Sequence, residues 1–387
     1  MKSRLFPAIA LAALLTGCVP TSVTPQPEEP TGYKWIVAPK FAQADNFSQG
    51  LCPVSTGDGK GPWGYVDTAG VFQIPAYWDA AYPFSEERAC VGTAGLYGMI
   101  DTSGHVVAEP FSSAPLVCSG GLIACRMDSG YGYLDVSGEP SIPFVYQDAS
   151  AFANERAAVC KDGLWGVINP AGDDVVDAAW EGVEVLSDGT IALRDGVLWG
   201  LADHDGNILF LPRFQEIKAV GDGLYAYRKA DLWGVADSAG KGLTEAVYAD
   251  VISCNDGEFI RLISQTDTYI NHKLEAIDIP LPQGLRVSGG FIQGFAACIG
   301  KEGLWGIVST DGQVVVPLQE QTPITEQELT AYARSGLLRV ADGYRATDWE
   351  ISGLEGASLP YIGEDGRIYA MLKIDGLWGL AEITGDK

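Results

Sequence analysis

Asp162-Gly163-Leu164-Trp165-Gly166-Val167-Ile168-Asn169-Pro170-Ala171-Gly172 reads as a turn, a short apolar strand and a second turn. Asp and Asn bond locally to backbone N–H groups, and glycine supplies positive φ at low cost. The apolar run between the turns is too short for a helix and has no helical period. An aromatic-Gly step like Trp165-Gly166 recurs at Trp63, Tyr97, Tyr131, Trp199 and Trp233, each 34 residues after the last. Tyr269, Trp305, Tyr344 and Trp378 continue the series at intervals of 36, 36, 39 and 34, although Tyr269 and Tyr344 have lost the glycine. A fixed period of this size means a stack or ring of similar units, each covering its neighbour's apolar face.

One unit shows the parts. In Phe84–Ala114, Arg88 to Val91 is a strand and Thr93-Ala94-Gly95 turns it. Leu96 to Asp101 is a second strand, Asp101-Thr102-Ser103-Gly104 a tight turn, and Val106 to Glu109 a third strand. Pro110 has no N–H for a ladder, so it ends that strand or lies on an edge. Phe111 to Leu116 leads on, with room for a fourth short strand. The turn returns as Asp67–Gly70, Asp135–Gly138, Asp203–Gly206 and Asp237–Gly240, and the proline as Pro75, Pro143, Pro212 and Pro317. The register aromatics, one per unit between aliphatic neighbours, are expected to form a core ladder. Unit-specific aromatics (Trp78, Tyr82 and Trp349) are the better candidates for exposure.

The aromatic-Gly step, the following Asp-x-x-Gly and the later Pro-x-aromatic together resemble the WG-repeat family, also called KWG repeats, over roughly residues 35–382. That resemblance implies an all-β repeat domain and no single activity. We expect about ten repeats of 34–39 residues forming a closed β-propeller-like ring, with an open β-solenoid-like array as the alternative. Residues 35–47 match the second half of a unit and Tyr369–Ala381 the first half, so the two ends could complete one composite blade. Thr325-Glu326-Gln327-Glu328 is a capping-box pattern that predicts a short helical insertion near 325–336, ending at Gly336.

The N-terminus reads differently. Lys2 and Arg4 precede the apolar run Leu5–Leu14, which is too short to span a bilayer, and Leu15-Thr16-Gly17-Cys18 follows. This resembles a bacterial lipoprotein signal, implying cleavage after residue 17 and lipidation of Cys18. Residues 18–32, rich in proline, form a flexible tether to a β domain over 33–387. The expectation is a membrane-anchored lipoprotein; by resemblance to Gram-negative sorting rules, Val19 in place of Asp favours the outer membrane, facing the periplasm or the surface.

The chain of 387 residues carries a net charge of −25. Such a surface repels nucleic acid and anionic headgroups. Seven cysteines remain after Cys18, and Cys118 with Cys125, flanking a Gly-Gly turn, is the best local candidate for a disulfide. His105, His204 and His272 are scattered singles near turns, and no Cys-x-x-Cys occurs, so no metal or cofactor is expected. Asp203-His204-Asp205-Gly206-Asn207 begins like a calcium loop but lacks its later ligands. Hydrolase, metalloprotease and P-loop motifs are missing. The adjacent acids Glu86-Glu87 and Asp173-Asp174 are background in so acidic a chain. The expectation is therefore a non-enzymatic, lipid-anchored envelope scaffold that binds a protein or a surface glycan, with specificity around residues 254–300 and 318–350 where the register fails. A glycan hydrolase using paired carboxylates is the alternative.

Overall fold

The computed structural model describes residues 32–385, apart from 58–60, 128–129 and 347–349. The signal-like segment, Cys18, most of the tether and Trp349 lie outside the described residues.

The strands form ten antiparallel sheets, each built mainly from consecutive segments. We number these blades 1 to 10 in chain order. Blade 4 shows the plan: a two-residue inner strand Asp148–Ala149, then Ala157–Lys161, Leu164–Ile168 and the outer strand Asp174–Trp180. Nine of the ten register aromatics fall on the third strand of a blade, and Tyr344 falls on the middle strand of the three-stranded blade 9. The last blade is composite. Its outer strand is Gly32–Phe41, paired antiparallel with Leu377–Gly385 from the other end of the chain. The termini therefore close a ring, a ten-bladed β-propeller, and the open array is excluded.

Packing follows the ring. Among the described residues the core divides into ten buried clusters, each shared by adjacent blades. Tyr65, Ile74, Ala89, Val91 and Ile100 join blades 1 and 2. Phe41, Val54, Val66, Met371 and Leu380 close blade 10 onto blade 1. Inner hairpins add hydrogen bonds between blades: Ser48 Oγ donates to Phe84 O at 2.6 Å, and Ser119 Oγ to Phe152 O at 2.6 Å. The same tier spans the closure, where Leu359 N donates to Asn46 Oδ1 at 2.7 Å and Gly50 N to Tyr361 Oη at 2.9 Å.

The repeated residues have local causes. Asp135 Oδ1 accepts from Ser137 N at 2.7 Å and Glu139 N at 3.1 Å, fixing the turn into the outer strand. The glycine that ends this turn, Gly138, has φ +85° and lies on the preceding blade's outer strand. A Cβ there would fall 1.7 Å from Val107 O. The proline does not end its strand as the sequence suggested it might. Pro75, Pro110, Pro143, Pro212 and Pro317 all lie inside outer strands, where a missing N–H faces solvent and discourages edge pairing.

The insertion before blade 9 is the helix Glu326–Ser335, capped by Thr325 and ended by Gly336 at φ 73°. Thr325 N donates to Glu328 Oε2 at 2.9 Å, and Arg339 Nη2 to Glu328 Oε1 at 2.9 Å. Burial alone would raise the Glu328 carboxyl, but these bonds more than offset it and hold the group below its usual value. A depressed folded-state pKa stabilises the fold above the unfolded value, and that stabilisation is lost as pH falls through the folded value. Glu328→Gln should therefore cost about 1–2 kcal/mol at neutral pH. The gap from the parent should close on acidification through the carboxylate range. Thermal melts of both proteins across that range check it.

Candidate functional site

Most positions singled out in the sequence serve the fold. The register aromatics are not a core ladder: only Trp233, Tyr269 and Tyr344 are buried, and the other seven are half-buried. In six blades an aromatic pairs with the register residue: Trp63 with Trp78, Tyr131 with Tyr146, Trp165 with Trp180, Trp199 with Phe214 and Trp378 with Phe41 across the outer strand, and Trp233 with Tyr248 through an isolated bridge. Trp78 is thus buried rather than exposed, and Tyr82 is 37 % exposed. The blade interfaces are filled instead by residues such as Tyr65 and Tyr133, two positions after the register aromatic. Their hydroxyls donate to Tyr82 O and Ser150 O, each at 2.8 Å.

Glu86 and Glu87 sit in an inner hairpin turn at φ 50° and 61°. Glu86 accepts from Gly121 N and Gly120 N of the next blade, each at 2.9 Å, which holds it below the usual carboxylate range. Asp203 Oδ1 accepts from Asp205 N at 3.0 Å and Asn207 N at 2.8 Å, so its calcium-loop start is a hairpin turn. His204 lies against buried Arg156, whose Nη2 is 2.8 Å from Nδ1, and His272 lies 3.3 Å from Asp222. Among the described residues no group of three or more His, Cys, Asp or Glu could hold a metal.

The expected Cys118–Cys125 bridge is corrected by register. Cys118 pairs with Ile123, whereas Cys125 pairs with Gly132 on the other side of its strand, so the two are not opposite one another. All seven described cysteines are free and buried. Burial and the Glu86 carboxylate push Cys118 up to about 11, and burial pushes Cys125 up to about 11. Little thiolate forms at neutral pH, so these are packing residues.

A departure that opens a cavity lies between blades 7 and 8. In blade 7 the register residue Tyr269 is followed by Ile270, and the outer strand shrinks to Ala276–Ile277. Pro280 and Pro282 follow it, and neither can continue a ladder. The shortened sheet leaves a cavity of about 850 Å³, floored by Tyr269 and walled by Trp305, the register residue of blade 8. Trp305 pairs with Glu320 at the end of its outer strand, so no aromatic covers it there.

Arg261 organises this cavity. It is 4 % exposed and stands opposite Tyr269 across the sheet. Its Nη2 donates to Asp267 Oδ2 at 2.5 Å and Val287 O at 2.8 Å, its Nε to Asp267 Oδ2 at 3.0 Å, and its Nη1 to Gly289 O at 2.5 Å. Those carbonyls belong to the inner strand of blade 8: Val287 is still in register with Cys298, and Gly289 lies where the register slips between Ser288 and Ile292. The guanidinium thus gives both carbonyls a donor from the neighbouring blade. Burial pushes the Tyr269 hydroxyl up to about 12 against the pull of Arg261, so it stays protonated. That hydroxyl is buried and has no hydrogen-bond partner.

Arg261 was not singled out in the sequence, although a signal existed. Arg126, Arg194, Arg228 and Arg339 each precede their register aromatic by five residues and pair with it across strands. In blade 7 a longer hairpin moves the same arginine to eight residues away.

A smaller cavity of about 270 Å³ lies under the helix, lined by Glu320, Glu328, Arg339 and Trp378. Glu328 is bonded to Arg339, and Glu320 to Arg345.

A model described as a WG-containing repeat matches the chain at residues 34–60, 63–96, 131–165 and 199–241. The chain is a WG-repeat protein. No curated protein matches it. Among solved structures, a eukaryotic initiation factor is similar over 76 % of this WG-repeat chain and 91 % of its own, with 12 % identity and a TM-score of 0.50. BamB from Moraxella catarrhalis covers 90 % of this chain and 99 % of its own, with 13 % identity and a TM-score of 0.37. The computationally designed Ika8 protein covers 89 % and 96 %, with 12 % identity and a TM-score of 0.35. At such identities the likeness concerns the fold alone.

Proposed function

We propose that this WG-repeat protein is a lipid-anchored, non-catalytic scaffold of the bacterial cell envelope, held by Cys18 and binding a protein or surface-glycan partner through the cleft between blades 7 and 8. The observation that carries the reading is that cleft. At blades 7 and 8 the outer strand shrinks to two residues and the residues around it line a cavity of about 850 Å³, against about 720 Å³ for the one between the helix and the ring closure. The Lys2–Cys18 segment supports the anchor.

Expression of the full chain in a Gram-negative host with a radiolabelled fatty acid tests the anchor. The parent should take up label and sediment with membranes, and Cys18→Ser should do neither. Equal labelling of both would overturn it. For the cleft, an Arg286→Ala/Trp305→Ala double variant should lose partners cross-linked in the native envelope. A set of partners unchanged by the variant would overturn the cleft as the recognition surface.

The hydrolase reading is the weaker one. A glycosidase needs one carboxyl kept protonated beside one ionised. The best-placed pair, Glu320 and Glu328, is paired with arginines on both sides, and Glu328 is shifted down. This favours Glu328 as an anion and not as the acid.

A further inference from the structure

We propose that the outer edge of blade 4 docks an extended basic segment of a partner protein, which adds to the blade as a fifth strand. This edge belongs to a different blade from the cleft described above.

Two observations carry it. The first is a missing proline. Among the described residues seven blades (1, 2, 3, 4, 5, 8 and 10) have an outer strand of seven residues or more. Six of these strands carry a proline in the same short stretch. Pro75, Pro143 and Pro317 stand one residue after a position paired with the third strand, and Pro39, Pro110 and Pro212 stand two after it. In blade 4 that paired position is Val176, and Asp177 and Ala178 follow it. An edge strand exposes N–H and C=O groups without partners, and proline blunts it by removing a donor and crowding an incoming chain. Of the seven, only the strand Asp174–Trp180 keeps every main-chain N–H.

The second is charge. Asp174 and Asp177 are exposed, and among the described residues neither has a hydrogen bond or an ion pair. Other blades hold Phe72, Val106, Ile208 and Val314 at the position of Asp174. Ile168 pairs with Asp174 and Val167 with Val176, so the register skips one residue between them. That bulge sets Asp174 and Asp177 on one face, two ladder steps apart. Opposite them an added strand would hold residues i and i+2, which also share a face. Lys or Arg at those two positions would pair with both carboxylates, and acidic residues would be repelled. Main-chain bonds would supply the affinity and the two basic side chains the selectivity.

A second copy of this chain is the poorer occupant. Pairing two blade 4 edges would bring aspartates together, and like charges across strands are unfavourable.

The experiment measures binding of labelled octapeptides to the full chain by fluorescence anisotropy, with hydrogen exchange read by mass spectrometry. The probes are an alternating Lys-Val peptide, an alternating Glu-Val peptide and the Lys-Val peptide with its backbone N-methylated, which keeps the charge and loses the donors. The Lys-Val peptide should bind and slow exchange within Asp174–Trp180. The other two should bind about ten-fold or more weakly. Asp177→Pro gives blade 4 the pattern of blades 1, 3 and 8, so it should fold as the parent does and weaken binding about ten-fold or more. Replacing both exposed carboxylates, Asp174→Asn with Asp177→Asn, should weaken it about three-fold or more, and decides the matter should the proline variant unfold.

Equal binding of the N-methylated peptide would mean attraction by the net charge of −25 alone, and overturns the proposal. So does no binding of the Lys-Val peptide, full affinity in either variant, or slowed exchange in another blade. Self-association lost in Asp177→Pro, with no peptide bound, would make a second copy the occupant and overturn the partner class. Arg286→Ala/Trp305→Ala should bind the Lys-Val peptide as the parent does. Loss there would move the peptide to the cleft between blades 7 and 8 and overturn the edge as its site.

Discussion

Gly166→Val should destabilise the protein by about 3 kcal/mol or more, at the upper end of what overpacking costs. Gly163→Ala, three residues away, should cost only about 1–2 kcal/mol. The two glycines flank the pair Leu164-Trp165 and have different reasons to be glycine. Gly163 has φ +82° and nothing within 4 Å of a Cβ, so its substitution costs backbone conformation alone. Gly166 is ordinary strand, but a Cβ would fall 2.5 Å from Val176 O and 2.8 Å from Ala178 N. The reason lies in the outer strand. Trp165 pairs with Trp180 while Val167 pairs with Val176, so the outer strand bulges over Gly166. Both clashing atoms are backbone and cannot swing away as a side chain can. The same geometry recurs at Gly64, Gly98, Gly200 and Gly306. Urea unfolding followed by circular dichroism would check the ordering. Equal losses at 163 and 166 would mean that chain flexibility, and not the bulge, requires the glycine.

Arg261→Met should cost about 3 kcal/mol, because it leaves a half-buried carboxylate without its cation and two buried carbonyls without their donor. Asp267 is only 24 % exposed, and both its bonds to Arg261 reach Oδ2. Val287 O and Gly289 O lose their donor in the same step. Replacing both partners, Arg261→Met with Asp267→Leu, should recover much of the loss, since two apolar groups need no solvation. The expected coupling of about 1–3 kcal/mol is the measurable quantity in a double-mutant cycle. Repeat arrays respond locally, so hydrogen exchange should quicken in blades 7 and 8 first. Additive losses would mean that Arg261 acts through its carbonyl bonds and not through the ion pair.

The fold was largely legible in order. A 34-residue period, an Asp-x-x-Gly turn and an edge proline are local signals, and each is local chemistry: an Asx bond, a positive φ, a missing N–H. The half-units at the two ends likewise gave the composite blade, because strand complementarity follows from pattern. Less legible was which way each side chain faces. The register aromatics look like a core row by hydrophobicity, yet the outer-strand bulge turns seven of them half out and gives the core to Tyr65, Tyr133 and their neighbours. The Cys118–Cys125 spacing suggested opposite residues, but opposition depends on register, and Ile123 takes the place across from Cys118.

The sequence by itself determined the period, the strand order within a unit, the helix at Glu326–Ser335 and where the pattern breaks, since each rests on neighbours in the chain. Only the tertiary structure decided what those breaks enclose. Arg261, Tyr269 and Trp305 span 45 positions of sequence, and they meet because the two blades that carry them pack side by side over a shared core. A cavity is a property of the space between elements. It depends on how far a two-residue outer strand falls short of its neighbour, and no local rule in the chain records that distance.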